Sequence, residues 1–167
     1  MKKILLIILF VFSSNNSFAQ IFFNPNYTNV NKGTSQSKTN NKIEMKKLNE
    51  KIKKGSASED DYIARGKLYM GKGQTYQAIQ DFSEAIKLNN LSFSAYLERA
   101  EAYFESGNIF GANQDLSEIF DGVIADVSKG SFYNSLWKRA YTLRAKIHEK
   151  NGDYSAAERD YNSAEKF

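Results

Sequence analysis

Three arginine–aspartate pairs recur in this chain at one spacing. Arg65 and Asp81, Arg99 and Asp115, and Arg144 and Asp160 all share the same offset. A guanidinium can grip a carboxylate through two parallel hydrogen bonds, so the arginines either hold an anionic ligand or brace their own aspartates. A glycine (Gly73, Gly107, Gly152) stands midway between the members of each pair. If that glycine turns a helical hairpin, the two charges sit at one height on facing helices. The brace is the favoured reading, because a ligand rarely demands the same pair in every repeat.

Little else offers catalytic chemistry. There is no Cys, hence no thiolate nucleophile and no disulfide in any compartment. The one histidine, His148, takes a core-facing position that sister segments fill with Tyr69 and Tyr103. A single imidazole has no partners at metal-ligand spacing, so a packed structural histidine is expected. The glycines fall at turns and form no phosphate loop. No enzyme activity, cofactor or metal is expected.

The elements that position the pairs follow from the flanking residues. Tyr62, Arg65, Gly66, Tyr69, Gly73, Ala78, Asp81, Phe82 and Ala85 are matched, at a constant step, by Tyr96, Arg99, Ala100, Tyr103, Gly107, Ala112, Asp115, Leu116 and Ile119. A third copy, after a longer step, reads Tyr141, Arg144, Ala145, His148, Gly152, Ala157, Asp160, Tyr161 and Ala164. The first step is a period of 34. With small residues at fixed helical offsets, it marks an all-α solenoid of stacked helical hairpins. Ser58 is expected to cap the first helix, with Glu59, Asp60 and Asp61 in its first turn where the helix dipole favours acid. Helices are expected over 59–72, 76–88 and 93–106.

The interval between the second and third copies is longer than the first by about three helical turns. Leu116, Ile119, Phe120, Val123, Ile124 and Val127 continue one helical face through it. The spacing predicts a lengthened hairpin between repeats two and three. Its descending helix runs to Lys129 with Gly130 as C-cap, and Ser131 caps a long ascending helix. Gly122 lies inside the run, so Gly122→Ala is expected to stabilise by up to roughly 1 kcal/mol. In the last helix Glu158 and Glu165 replace Ile79 and Ile86 of repeat one, the polar outer face expected of a terminal repeat.

Numbered from Glu59, Phe93 and Lys138, the three copies resemble the tetratricopeptide repeat. They carry an aromatic at position 4, a small residue at 8, an aromatic or His148 at 11, Gly at 15, Ala at 20, a large residue at 24 and, in two of the three, Ala at 27. The resemblance covers residues 59–167. The proline usual near position 32 is missing. The resemblance implies a concave surface built from helix A positions 2, 5, 9, 12 and 13, which binds a protein or an extended peptide. Carried over, the candidate groove is Ile63, Lys67 and Met70, then Leu97, Glu101 and Phe104, then Thr142 and Lys146. Ile63, Met70, Leu97 and Phe104 are expected as an exposed apolar patch. Ile63 and Lys67 stand where one subgroup carries a lysine and an asparagine that clamp a carboxylate, so that activity is not implied.

The segments before residue 56 read differently. Lys2 and Lys3, the apolar run Ile4 to Phe12, and Ser17-Phe18-Ala19 before Gln20 form a secretory signal peptide over residues 1–19. The expected location is periplasmic or extracellular. Residues 20–40, rich in Asn, Ser and Thr with the only Pro at 25, read as a disordered polar linker. Residues 41–55 read as a short basic amphipathic helix capped by Asn41, with Met45, Leu48 and Ile52 on one face and Gly55 ending it. It can cap the first repeat, which is preferred, cover the groove, or touch an anionic membrane.

Residues 20–55 hold eight Lys against two Glu, and residues 56–167 hold 13 basic against 17 acidic residues. The repeats therefore lack the clustered cations of a nucleic-acid surface. The expected function is an exported protein–protein interaction module, an accessory subunit of an envelope complex. The alternative is a membrane-peripheral protein anchored by 42–54, with the repeats as spacer. Nothing in the sequence fixes the oligomeric state.

Overall fold

The computed structural model describes residues 30–123 and 130–167. The expected signal peptide, the first half of the expected linker and residues 124–129 lie outside them. The described residues form seven helices. They are α1 (Val30–Lys53), α2 (Glu59–Met70), α3 (Thr75–Leu88), α4 (Phe93–Glu105), α5 (Ile109–Val123), α6 (Gly130–Lys150) and α7 (Tyr154–Ala164). The chain divides into two compact units, residues 1–44 and 45–167, and the boundary falls inside α1.

The second unit holds three antiparallel hairpins, α2–α3, α4–α5 and α6–α7. Ser58 caps α2 as expected. Its hydroxyl accepts from the Asp61 N–H at 3.3 Å, and Asp61 accepts from the Ser58 N–H at 2.9 Å, closing a capping box. Ser92 caps α4 and Asp153 caps α7. The turn glycines Gly73, Gly107 and Gly152 have φ of 69°, 82° and 80°. Each reverses the chain in the left-handed region that side chains avoid. Position 8 lets the two helices of a hairpin approach. A Cβ on Gly66 would lie 2.4 Å from the Phe82 ring, while Ala100 faces the smaller Leu116 in the second hairpin's core.

The core has two clusters. Ile63, Ala78, Phe82 and Ala85 of the first hairpin pack with Ala95 and Ala102 of α4. Leu97 and Ala100, on another face of α4, pack with Leu116 and Ile119 of α5 and with Leu136, Ala140, Leu143 and Ile147 of α6. Thus α4 belongs to both clusters and ties the hairpins together. Around α6, Trp137 stacks on Tyr141 at 5.7 Å, and Phe167 stacks on both at 6.1 and 6.2 Å.

Gly122 is helical and described α5 reaches Val123, while the expected run on to Lys129 lies outside the described residues. Gly130, expected as a C-cap, is the first residue of α6, and Ser131 lies inside that helix. Part of the added length therefore winds onto the start of α6, which has 21 residues against 12 in α2. Glycine is tolerated at a helix start, where backbone N–H groups lack intrahelical partners anyway. The expected gain from Gly122→Ala is opposed by packing. A Cβ there would lie 2.6 Å from the Phe93 ring of α4, so overpacking opposes the propensity gain.

The expected linker and short helix are also revised. Residues 30–40 are helical and Asn41 lies within α1. Asn, Ser and Thr are weak helix formers, but extending an existing helix is far easier than nucleating one, and no proline interrupts after Pro25. In the second unit Met45 and Leu48 are buried. Lys51 pairs with Asp61 at 2.6 Å, and Asn49 accepts from Arg65 Nη1 at 2.9 Å. Ser83 of α3 accepts from Arg99 Nη1 at 3.0 Å. Asn49 precedes Ser83 by one repeat period, as Arg65 precedes Arg99. The stretch 45–53 therefore stands where the second helix of a preceding hairpin would, and it caps α2.

Candidate partner-binding face

The recurring charges are braces. Arg65 Nε and Nη2 donate to Asp81 at 2.8 and 2.6 Å, Arg99 to Asp115 at 2.9 and 2.7 Å, and Arg144 to Asp160 at 2.8 and 2.7 Å. Aromatic rings flank each guanidinium. Arg99 lies 5.7 Å from the ring centres of both Tyr96 and Tyr103, and Arg144 lies 4.0 Å from Phe120. Burial pushes the Asp115 carboxyl above the usual range, and the bond from Arg99 pulls it back. His148 stands 3.6 Å from Asp160, half-buried where the other hairpins carry Tyr. With both aspartate oxygens engaged and rings on either side, these arginines are committed to structure.

The first helices α2, α4 and α6 lie in sequence across one face. Ile63 and Leu97, expected as exposed groove residues, are buried at 8% and 1% exposure. Each first helix packs on the next, and position 5 lies in that seam. Ile63 is sealed by the cluster that includes Ala95 and Ala102, and Leu97 by that of Leu136, Ala140 and Leu143. Met70 is half-buried against the first cluster. The four do not form one exposed apolar patch.

Across the same face runs a chain of ion pairs. Lys67 of α2 reaches Glu98 of α4 at 3.0 Å, and Arg139 of α6 reaches the same Glu98 oxygen at 2.9 Å. Arg139 also donates to Glu101 at 3.1 and 2.7 Å. Burial alone would depress the Arg139 guanidinium, but the bonds to Glu101 and Glu98 outweigh it and hold the cation. One nearly buried carboxylate, Glu98, thus joins three hairpins.

Beyond this chain α4 and α6 part around a pocket of ≈ 510 Å³. Four predicted residues meet there, Glu101, Phe104, Thr142 and Lys146, together with Glu105, Lys138, Arg139 and Leu143. Thr142 is anchored by donating to the Lys138 carbonyl at 2.7 Å. Lys150 Nζ sits 5.5 Å from the Phe104 ring centre. Lys67 and Met70 do not line this pocket. Glu98, Lys138 and Leu143 were missed by the positional carry-over. Only Lys138 had a signal in the sequence: Lys138, Thr142 and Lys146 recur at every fourth position, one stripe of a helix.

Family profiles match the chain in two places. One described as TPR repeat covers residues 66–107, and one described as Tetratricopeptide repeat covers residues 138–166. The chain carries tetratricopeptide repeats at these residues. The crystal structure of MamA is similar, with a TM-score of 0.55 at 16% identity over 81% of this chain and 82% of that one. At that identity the likeness speaks for the fold alone. No curated protein matches the chain. Tetratricopeptide-repeat proteins are generally non-enzymatic scaffolds, and the repeats and fold found here support a protein–protein interaction scaffold.

Proposed function

We propose that this chain is an exported interaction module without catalytic activity. It binds a protein or an extended peptide on the face formed by α2, α4 and α6, and acts as an accessory subunit of an envelope complex. The observation that carries the reading is the pocket between α4 and α6, where Phe104 and Leu143 offer apolar surface beside Thr142, Lys138 and Lys146. Apolar surface with a few polar groups converging on it is what recognition sites present. Export is supported by the basic start, the apolar run Ile4 to Phe12 and the small residues before Gln20. The alternative, a membrane anchor over 42–54, would need Met45 and Leu48 for insertion. Both are buried on a segment whose Asn49 and Lys51 bond α2.

The test is affinity capture from envelope extract with the wild type and with Phe104→Asp/Lys146→Glu. The variant should keep its helical circular dichroism and lose the captured partner. A partner retained by the folded variant contradicts the assignment. The exported protein should begin at Gln20 by mass spectrometry, and a retained Lys2 contradicts export.

A further inference from the structure

The pocket between α4 and α6 has an uneven distribution of uncommitted charge. Its acidic residue Glu101 is neutralised by Arg139, which is itself held by Glu98 and Glu101. Glu149, nearby on α6, accepts from the Tyr161 hydroxyl at 3.1 Å. Lys138 and Lys146, both exposed and both lining the pocket, have no ion-pair partner among the described residues. Lys150 adds a third cation over the Phe104 ring. Against these stand Glu105 in the lining and Glu149, whose charge the hydroxyl bond leaves in place. The surplus is positive, in a domain whose other residues are net acidic.

We propose that this pocket receives an extended acidic segment of a partner protein, with two carboxylates on Lys138 and Lys146 and an apolar side chain between them on Phe104 and Leu143. The proposal rests on the reading of this face as the partner site and specifies its ligand. The geometry sets the spacing. Lys138 and Lys146 are two helical turns apart, about 12 Å. An extended chain rises about 3.3 Å per residue, so the carboxylates belong three or four residues apart. Thr142, midway between the lysines, offers a short polar side chain that leaves the floor open. A polyanion such as nucleic acid is disfavoured, because two or three lysines on an acidic body give it too few phosphate contacts.

The test is panning of a random phage-displayed peptide library against the wild-type protein. Enriched sequences are then synthesised with a fluorescent label and measured by anisotropy. Enriched peptides should carry two Asp or Glu residues three or four apart around an apolar residue. Replacing those acids by Asn or Gln should weaken binding at least tenfold. The variant Lys138→Glu/Lys146→Glu should lose binding at least tenfold, Lys138→Gln/Lys146→Gln should do so without charge reversal, and Lys72→Glu, away from the pocket, should not. Raised salt should weaken binding, as expected for exposed charges. Peptides that lose binding in Phe104→Asp but are neutral or basic would overturn the acidic ligand and leave the partner face standing. Peptides indifferent to Phe104→Asp would overturn both. Concentration-dependent self-association abolished by Lys138→Glu/Lys146→Glu would make a second copy the occupant and overturn the partner assignment.

Discussion

The seam between the first and second hairpins and the seam between the second and third use the same repeat frame to different ends. At the first, Ile63 of α2 packs with Ala95 and Ala102 of α4, and at the second, Leu97 of α4 packs with Leu136, Ala140 and Leu143 of α6. The first is apolar and sealed, with Ile63 enclosed. The second begins sealed at Leu97 and then parts into a pocket. Position 5 makes the contrast sharpest. Ile63 and Leu97 are buried because a following first helix covers them, whereas Thr142 is half-exposed. Burial in a solenoid is thus a property of the neighbouring repeat as much as of the residue.

The largest expected effect separates those two positions. Leu97→Asp buries a charge among Ala100, Leu136 and Leu143 and should unfold the domain or cost upwards of about 4 kcal/mol. Thr142→Asp should change stability by about 0.5 kcal/mol or less. Denaturant titration measures both. A Leu97→Asp protein as stable as the wild type would return Leu97 to the surface.

Next come the braces, which hold each hairpin whatever its seam. Arg99→Ala leaves Asp115 buried without its partner and should cost about 3 kcal/mol. The double-mutant cycle with Asp115→Ala should show coupling of about 1–3 kcal/mol. Zero coupling would remove the pair as a structural element.

A smaller effect distinguishes two glycines of α2 and its C-cap. Gly66→Ala gains helix propensity but places a methyl 2.4 Å from the Phe82 ring, and should cost about 1–3 kcal/mol net. Gly71→Ala meets nothing closer than 3.6 Å at a helical φ of −61°, and should be neutral or stabilise by up to about 1 kcal/mol. Thermal melts that rank them the other way would contradict the close approach of α2 and α3.

The smallest effect lies at the cap. The bond from Lys51, then the Ser58 N–H, holds the Asp61 carboxyl below the usual range. A depressed folded pKa contributes stability above the ordinary carboxylate range and loses it as pH falls through the folded value. The stability difference between wild type and Asp61→Asn should therefore be constant near neutrality and shrink below about pH 4. A difference that grows on acidification would contradict the cap.

The hairpins, their turns, the braces and the capping of α2 were legible because each depends on residues close in sequence or at one repeated offset. The Arg99–Asp115 pair needed only its turn glycine. Of the expected groove residues, Glu101, Phe104, Thr142 and Lys146 line one pocket, whereas Ile63 and Leu97 are buried in the core. Which face of a first helix is covered depends on how closely the next hairpin packs, and no local pattern encodes that distance. The same holds for Gly122, where propensity predicted a gain and the Phe93 ring of another helix opposes it. The start of α1 was missed because weak helix formers do not forbid propagation from a stronger segment.

A partner seated between α4 and α6 would lie against Thr142 and away from Ser117. Because the protein has no cysteine of its own, Thr142→Cys and Ser117→Cys can each carry a single photoactivatable label, one at the pocket and one on exposed α5. Illumination in the envelope extract should give a partner adduct from position 142 and none from position 117. An adduct from 117 with none from 142 would place the partner on α5 and away from the pocket.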